Sequence, residues 1–206
     1  VVITAFSNLF GSGGAPLFSI YRGKGEPQRA ANVMNTSFTM VCVCAVVLMA
    51  VGFIFARPLL VLFGASTDAL VYAYPYLMIY LIGTLPSMIA TGMNPFINAQ
   101  GYSTIGMISV AIGAVANLLL DPLFIFVLDM GVRGAALATV VSRYVELAIV
   151  ALWTHTHGEK EPFIRGAFRS MFIPKQLTGR ILVKGMPLLV NEALWASGMA
   201  FLNQCY

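Results

Sequence analysis

The chain has 206 residues, 59% of them hydrophobic and 10% charged, with a formal net charge of +4. A soluble globular domain carries about 25% charged residues, so this composition excludes one. Three cysteines are too few for a disulfide scaffold, and glycines and prolines scattered through apolar sequence exclude collagen-like and disordered chains.

An integral membrane protein remains. A bilayer core about 30 Å thick needs about 20 helical residues, and only helices or closed barrels satisfy their backbone polar groups in lipid. Unbroken apolar runs choose helices, and six occur: 1–20, 36–56, 70–97, 104–128, 134–153 and 181–206. The fold class expected is all-α, with six transmembrane helices. The first and last runs look truncated, and the chain opens on Val1 and stops at Tyr206 in apolar sequence, so a piece of a longer protein is expected.

The first run contains Gly11-Ser12-Gly13-Gly14. No Lys-Ser/Thr follows, so this is no phosphate-binding loop, no nucleotide is expected, and small residues for close helix packing are the reading. The connection 21–35 carries Arg22, Lys24 and Arg29, and the second run carries Cys42 and Cys44 as packing residues. The third run holds Tyr76 and, near its far end, Asn94 with Pro95, and the connection 98–103 has no basic residue. The fourth holds Asn117, Asp121 and Pro122, and the fifth holds Thr139, Arg143 and Glu146, ending at His155 and His157. The connection 154–180 mixes Lys160, Arg165 and Arg169 with Phe163, Phe168 and Phe172, a composition suited to the membrane interface. The last run carries Glu192, with Asn203 and Gln204 beyond it.

Basic residues orient the spans. The first, third and fifth connections, with the approach to the last run, hold nine Lys and Arg against Arg57 and Arg133 in the other two. The connections 21–35, 98–103 and 154–180 should therefore be cytoplasmic. The positive balance is then topology, and no nucleic-acid partner is expected because no recognition module accompanies it. No nucleophile and base, and no metal cluster, stands at membrane depth, so an enzyme is not expected.

Ionisable groups inside spans cost roughly 2.5 to 3.5 kcal/mol each on insertion scales and tend to line pathways. Arg143 and Glu146, three apart, can neutralise each other. Asp121 has only Asn117 one turn before it, and Pro122 cannot donate to the Leu118 carbonyl, which is left free. Carboxylate, amide and carbonyl oxygens suit a hard cation such as Na+, and a protonated Asp121 bonded to Asn117 would serve equally. At 1.5 Å per residue, Tyr76, Asp121 and Thr139 all fall roughly 9 to 12 Å below the outer surface, so they could converge. The alternative is that each satisfies itself separately. Glu192 falls near mid-membrane.

The runs Asn117-Leu-Leu-Leu-Asp121-Pro122-Leu-Phe-Ile-Phe126 and Met130-Gly131-Val-Arg-Gly134-Ala-Ala-Leu-Ala-Thr139 resemble the fifth and sixth helices of multidrug and toxic compound extrusion (MATE) transporters. Gly23 to Arg29, Asn98-Ala-Gln-Gly101 and Lys184-Gly-Met-Pro187 resemble further parts of that family, from its second helix to its seventh. The resemblance implies a twelve-helix, two-lobe transporter exporting small-molecule organic cations in exchange for Na+ or H+, with no cofactor besides the coupling ion. It implies residues 1–153 as most of the amino-terminal lobe, 154–180 as the interlobe linker and 181–206 as the start of the second lobe. It implies Asp121, Asn117, Thr139 and Tyr76 as the cation or proton site, with Asp121, Asn117 and Thr139 as ligands if the ion is Na+, and Asn94 and Glu192 in the substrate cavity. A lipid-linked saccharide flippase is the main rival, but it would want a cationic cavity for a diphosphate, whereas Asp121 and Glu192 are acids. A channel lacks a ring-forming polar repeat.

Overall fold

The computed structural model describes residues 2–62, 64, 66–157 and 175–205, and the described residues form a helical bundle. Its helices are α1 (Val2–Gly23), α2 (Pro27–Leu62), α3 (Thr67–Ile82), α4 (Thr84–Ala99), α5 (Ser103–Pro122), α6 (Gly131–His157) and α7 (Lys175–Cys205). A π-helical turn, Leu123–Val127, extends α5.

Each expected span has its helix, but several boundaries move. The turn expected at 21–35 shrinks to residues 24–26, because α2 starts at Pro27 and is 36 residues long. Pro27 suits a first helical turn, where its missing N–H has no intrahelical partner anyway. Beyond it Ala30, Ala31, Val33 and Met34 are buried, so tertiary packing carries the helix past its apolar stretch. The same helix absorbs Arg57, which was expected in a connection. The segment 154–180 is also shorter as a connection: residues 154–157 continue α6 and 175–180 begin α7. Its Phe163, Phe168 and Phe172 lie outside the described residues.

The single span expected at 70–97 is a bent pair, α3 and α4, meeting at 51°. Gly83 forms the joint, and its N–H bonds the Tyr80 carbonyl at 3.0 Å. Pro86 three residues on has no N–H for the Ile82 carbonyl, so the helical ladder breaks there.

Among the described residues three helical stretches are long and apolar enough to cross a membrane, with mean hydropathy 2.7 for Pro27–Leu62, 2.2 for Ser103–Val127 and 1.7 for Gly131–Thr156. The bent pair makes a fourth. The expected spans 1–20 and 181–206 do not reach that standard as α1 and α7, because small and polar residues dilute them. Those residues are used in packing. α1 lies against α2, α4 and α7, and the core there is Leu9, Phe18, Val33, Met34, Val41, Met88, Phe96 and Ile181. Phe18 and Phe96 meet edge to face at 5.7 Å.

The glycines of α1 explain how closely these helices approach. A Cβ on Gly11 would overlap the Gly92 carbonyl of α4, and one on Gly13 would lie 2.6 Å from the Ile181 oxygen of α7. In return, a Cβ on Gly185 would overlap the Leu9 carbonyl. The packing role expected of Gly11-Ser12-Gly13-Gly14 is what the structure displays.

The second group centres on α6, which packs on α3, α4, α5 and the π turn. Ala136, Ala138, Val140, Ser142, Glu146 and Val150 are buried there. Outward surfaces are apolar: Leu118 is 71% exposed and Phe126 78%. Such faces suit lipid or further helices, and the chain is a multi-pass membrane protein.

Candidate functional site

Asp121 stands one residue before the end of α5, where the backbone changes character. Pro122 withholds a donor, and the chain widens into the π turn, with the Leu128 N–H bonding the Leu123 carbonyl at 3.0 Å. Single π turns inside helices occur often at functional sites. Asp129 then takes a left-handed conformation, φ 53°, and Gly131 follows at φ 54°, which reverses the chain into α6. Close seating of that reversal needs Gly134, where a Cβ would come 2.7 Å from the Phe124 oxygen.

The reversal places α6 beside α5, and α6 also packs on α3. Thr139 therefore lies on the helix shared by those carrying Asp121 and Tyr76. Asp121, Asn117, Tyr76 and Thr139 are all half-buried. The Asn117 Nδ2 points at Asp121 Oδ1 at 3.5 Å, a long contact that leaves the carboxylate mostly uncommitted. The Asp121 carboxylate lies within electrostatic reach of the Tyr76 phenol. Tyr76 and Asp121 are thus close enough to influence each other electrostatically.

Thr139 Oγ1 donates to the Ala135 carbonyl at 3.0 Å. That is the self-satisfied arrangement weighed above, and it leaves the hydroxyl only lone pairs to offer. An oxygen with its proton engaged is an acceptor, and so is a carboxylate. Carboxylate and hydroxyl oxygens are of the type a hard cation takes, while the Asn117 amide turns its nitrogen toward Asp121. Among the described residues no group of three or more His, Cys, Asp and Glu could hold a metal, so a transition-metal centre has no ligands here.

Tyr80, not singled out from the sequence, stacks on Tyr76 with ring centroids 6.0 Å apart and planes inclined by 12°. The i, i+4 spacing on α3 was the available signal. The stack stiffens the Tyr76 ring next to the carboxylate.

Arg143 and Glu146 form the expected local ion pair, Nη1 to Oε2 at 2.8 Å, with side chains 42% and 3% exposed. It sits against Gly113 of α5, where a Cβ would lie 3.4 Å from Glu146 Oε2. Asn94 and Glu192 lie away from this cluster. Asn94 Nδ2 donates to the Gly106 carbonyl and its Oδ1 accepts from Asn98 Nδ2, both at 3.0 Å, so it ties α4 to the start of α5. Glu192 is half-buried on α7, a helix that packs on α1 and α2.

With this geometry in view, the MatE family model matches residues 1–123 of the 206. The multidrug export protein MepA of Staphylococcus haemolyticus is 30% identical over 144 residues, which cover 70% of this chain and 32% of that protein. A FAD transporter of Shewanella oneidensis is 27% identical over 152 residues, covering 72% of this chain and 31% of that one. Among solved structures, an inward-facing multidrug resistance MATE family transporter of the MOP superfamily superposes with a TM-score of 0.90 at 24% identity. The match covers 98% of this chain and 46% of the other. The chain spans about a third of the length of these curated relatives.

Proposed function

The chain belongs to the MatE family, and from that premise we propose that it forms part of a secondary active transporter that exports organic cations in exchange for Na+ or H+. The observation that carries the reading is the Asp121 carboxylate at the π turn, whose recorded hydrogen bond is only the long contact from the Asn117 amide. A carboxylate held this way attracts a small cation, a proton or a cationic drug, and these compete for it.

Competition couples the fluxes. A coupling ion neutralises Asp121 and lowers the affinity for cationic substrate, so ion entry and substrate release favour the same state of the transporter. Pro122 and the π turn form a break in the backbone ladder beside the carboxylate, where the helix can yield. In this scheme Asn117 and Thr139 contribute oxygens, Tyr76 positions the site, and Asn94 and Glu192 belong to the cavity through which substrate passes. Residues 1–153 act as an amino-terminal lobe, 154–180 as the link and 181–206 as the opening of the second lobe.

Relatives that carry anions, as the FAD transporter's name states of that protein, and saccharide flippases both require a cationic cavity. The ionisable groups within the helices favour a cation: Asp121 and Glu192 are acidic and Arg143 is paired. The test is Asp121→Asn in the full-length protein, measured as ion-driven efflux of a fluorescent cationic dye from vesicles. Efflux should fall roughly tenfold or more with membrane insertion unchanged. Undiminished efflux rejects the assignment.

A further inference from the structure

Two arginines remote from Asp121 have no part in that scheme. Arg29, in the first turn of α2, and Arg180, near the start of α7, line one cavity of about 330 Å³ together with Tyr21 of α1, Asn32, Gln176 and Leu177. The volume falls within the range of small-molecule sites. The polar side chains around it are two guanidinium groups, two amides and a phenol, all able to donate hydrogen bonds.

The charges of the described residues do not balance there. Arg29 Nη1 meets Glu26 Oε2 at 2.8 Å. Arg180 Nη1 donates to the Tyr21 hydroxyl at 3.3 Å, a neutral partner that orients the guanidinium without neutralising it. Among the described residues one carboxylate thus faces two guanidinium groups, and Lys24 stands in the adjoining turn. Arg22 is turned away to the Ala99 carbonyl at 2.9 Å. Two like charges at the rim of one concavity repel weakly through water, and an anion between them would be attracted by both.

The geometry points to this cavity as a binding site for a phosphate-bearing anion, of the class that an acidic phospholipid headgroup displays. A guanidinium fork matches phosphate oxygens two at a time, which a lysine cannot do. The position suits a headgroup, because the cavity lies at the ends of helices that cross the membrane, on the side where the chain gathers its basic residues. An occupant here would touch α1, α2 and α7 at once, and so would fasten α7 to the rest of the bundle. This reading does not depend on Asp121 or on the transported substrate.

The experiment uses the purified full-length protein and follows its thermal unfolding midpoint against added phosphatidylglycerol, phosphatidylcholine or inorganic phosphate. Phosphatidylglycerol should raise the midpoint and phosphatidylcholine should not. Arg29→Gln and Arg180→Gln should each weaken the apparent phosphatidylglycerol affinity roughly fivefold, while Arg57→Gln, exposed near the other end of α2, should leave it unchanged. A rise with inorganic phosphate that depends on the same two arginines supports the site with a free phosphate as its source. If Arg180→Gln does not fold, Arg180→Lys keeps the charge but loses the fork, and it should still show a weakened response. A response to phosphatidylglycerol that is the same in the wild type, Arg29→Gln and the Arg180 variant overturns the proposal.

Discussion

Around α1 three helices meet through glycine backbones, whereas α6, beside its own glycine contact at Gly134, also buries an ion pair against α5. Gly11, Gly13 and Gly185 let α1, α4 and α7 approach until a single added carbon would strike a carbonyl. At α6 the interface with α5 includes the Arg143–Glu146 pair, and Asp121 stands beside the same junction. Lipid tails are as apolar as leucine, so helices in a membrane gain little from hiding apolar faces and must associate by close packing or by polar contacts. The region around α1 uses the first means, and the region around α6 uses both. The lesson is that the rigid contacts and the chemically responsive groups occupy different interfaces, with α4 packed against both α1 and α6.

The sharpest way to break that division is at the ion pair. Arg143→Met strands a carboxylate that is 3% exposed, and it should destabilise the full-length protein by about 3 kcal/mol. Glu146→Gln should cost less, because Arg143 is 42% exposed and can reach water or headgroups. Thermal unfolding of both single variants and of the Arg143→Met, Glu146→Leu double variant checks this. The double variant should recover most of the loss, and a simple sum of the two single losses would show that the pair is not acting as a unit.

The backbone interface is probed by Gly185→Ala. Its new carbon overlaps the Leu9 carbonyl, and a loss of about 1 to 3 kcal/mol is expected, read as a lower unfolding midpoint. Because α7 is displaced but Asp121 is untouched, dye affinity should change less than stability does. Asn117→Ala makes the opposite cut, weakening ion coupling severalfold in a sodium- or proton-jump assay with little change in midpoint, since its contact to Asp121 is only 3.5 Å long. The smallest effect belongs to Gly179→Ala. No atom lies within 4 Å of a Cβ there, so removing glycine from a helix should stabilise by about 0.5 to 1 kcal/mol. A loss at Gly179 comparable to that at Gly185 would erase the distinction between packed and open glycines.

Much of the candidate site could be read before any coordinates existed. Asp121, Asn117 and Pro122 are neighbours along one helix, so a local rule of one turn relates them, and counting residues from the ends of apolar runs set Tyr76 at a matching depth. The Arg143–Glu146 pair followed from the same arithmetic. Tyr80 and the pairing of Arg29 with Arg180 did not, the first because aromatic residues near a membrane surface carry little individual signal, the second because the two residues are joined only by the docking of α7 on α1 and α2.

Composition and residue order by themselves determined that the chain crosses a membrane as helices, roughly where each helix runs, and which acid in it needs a partner. Those properties depend on lipid excluding unpaired polar groups, which acts on every segment separately. Only the tertiary structure decided that α2 begins at Pro27, that the span 70–97 bends at Gly83, and that α1 and α7 are locked to each other through glycine. The reason is physical: a helix end, a bend and a close approach are chosen by what packs against the chain, and that partner lies far away along the sequence.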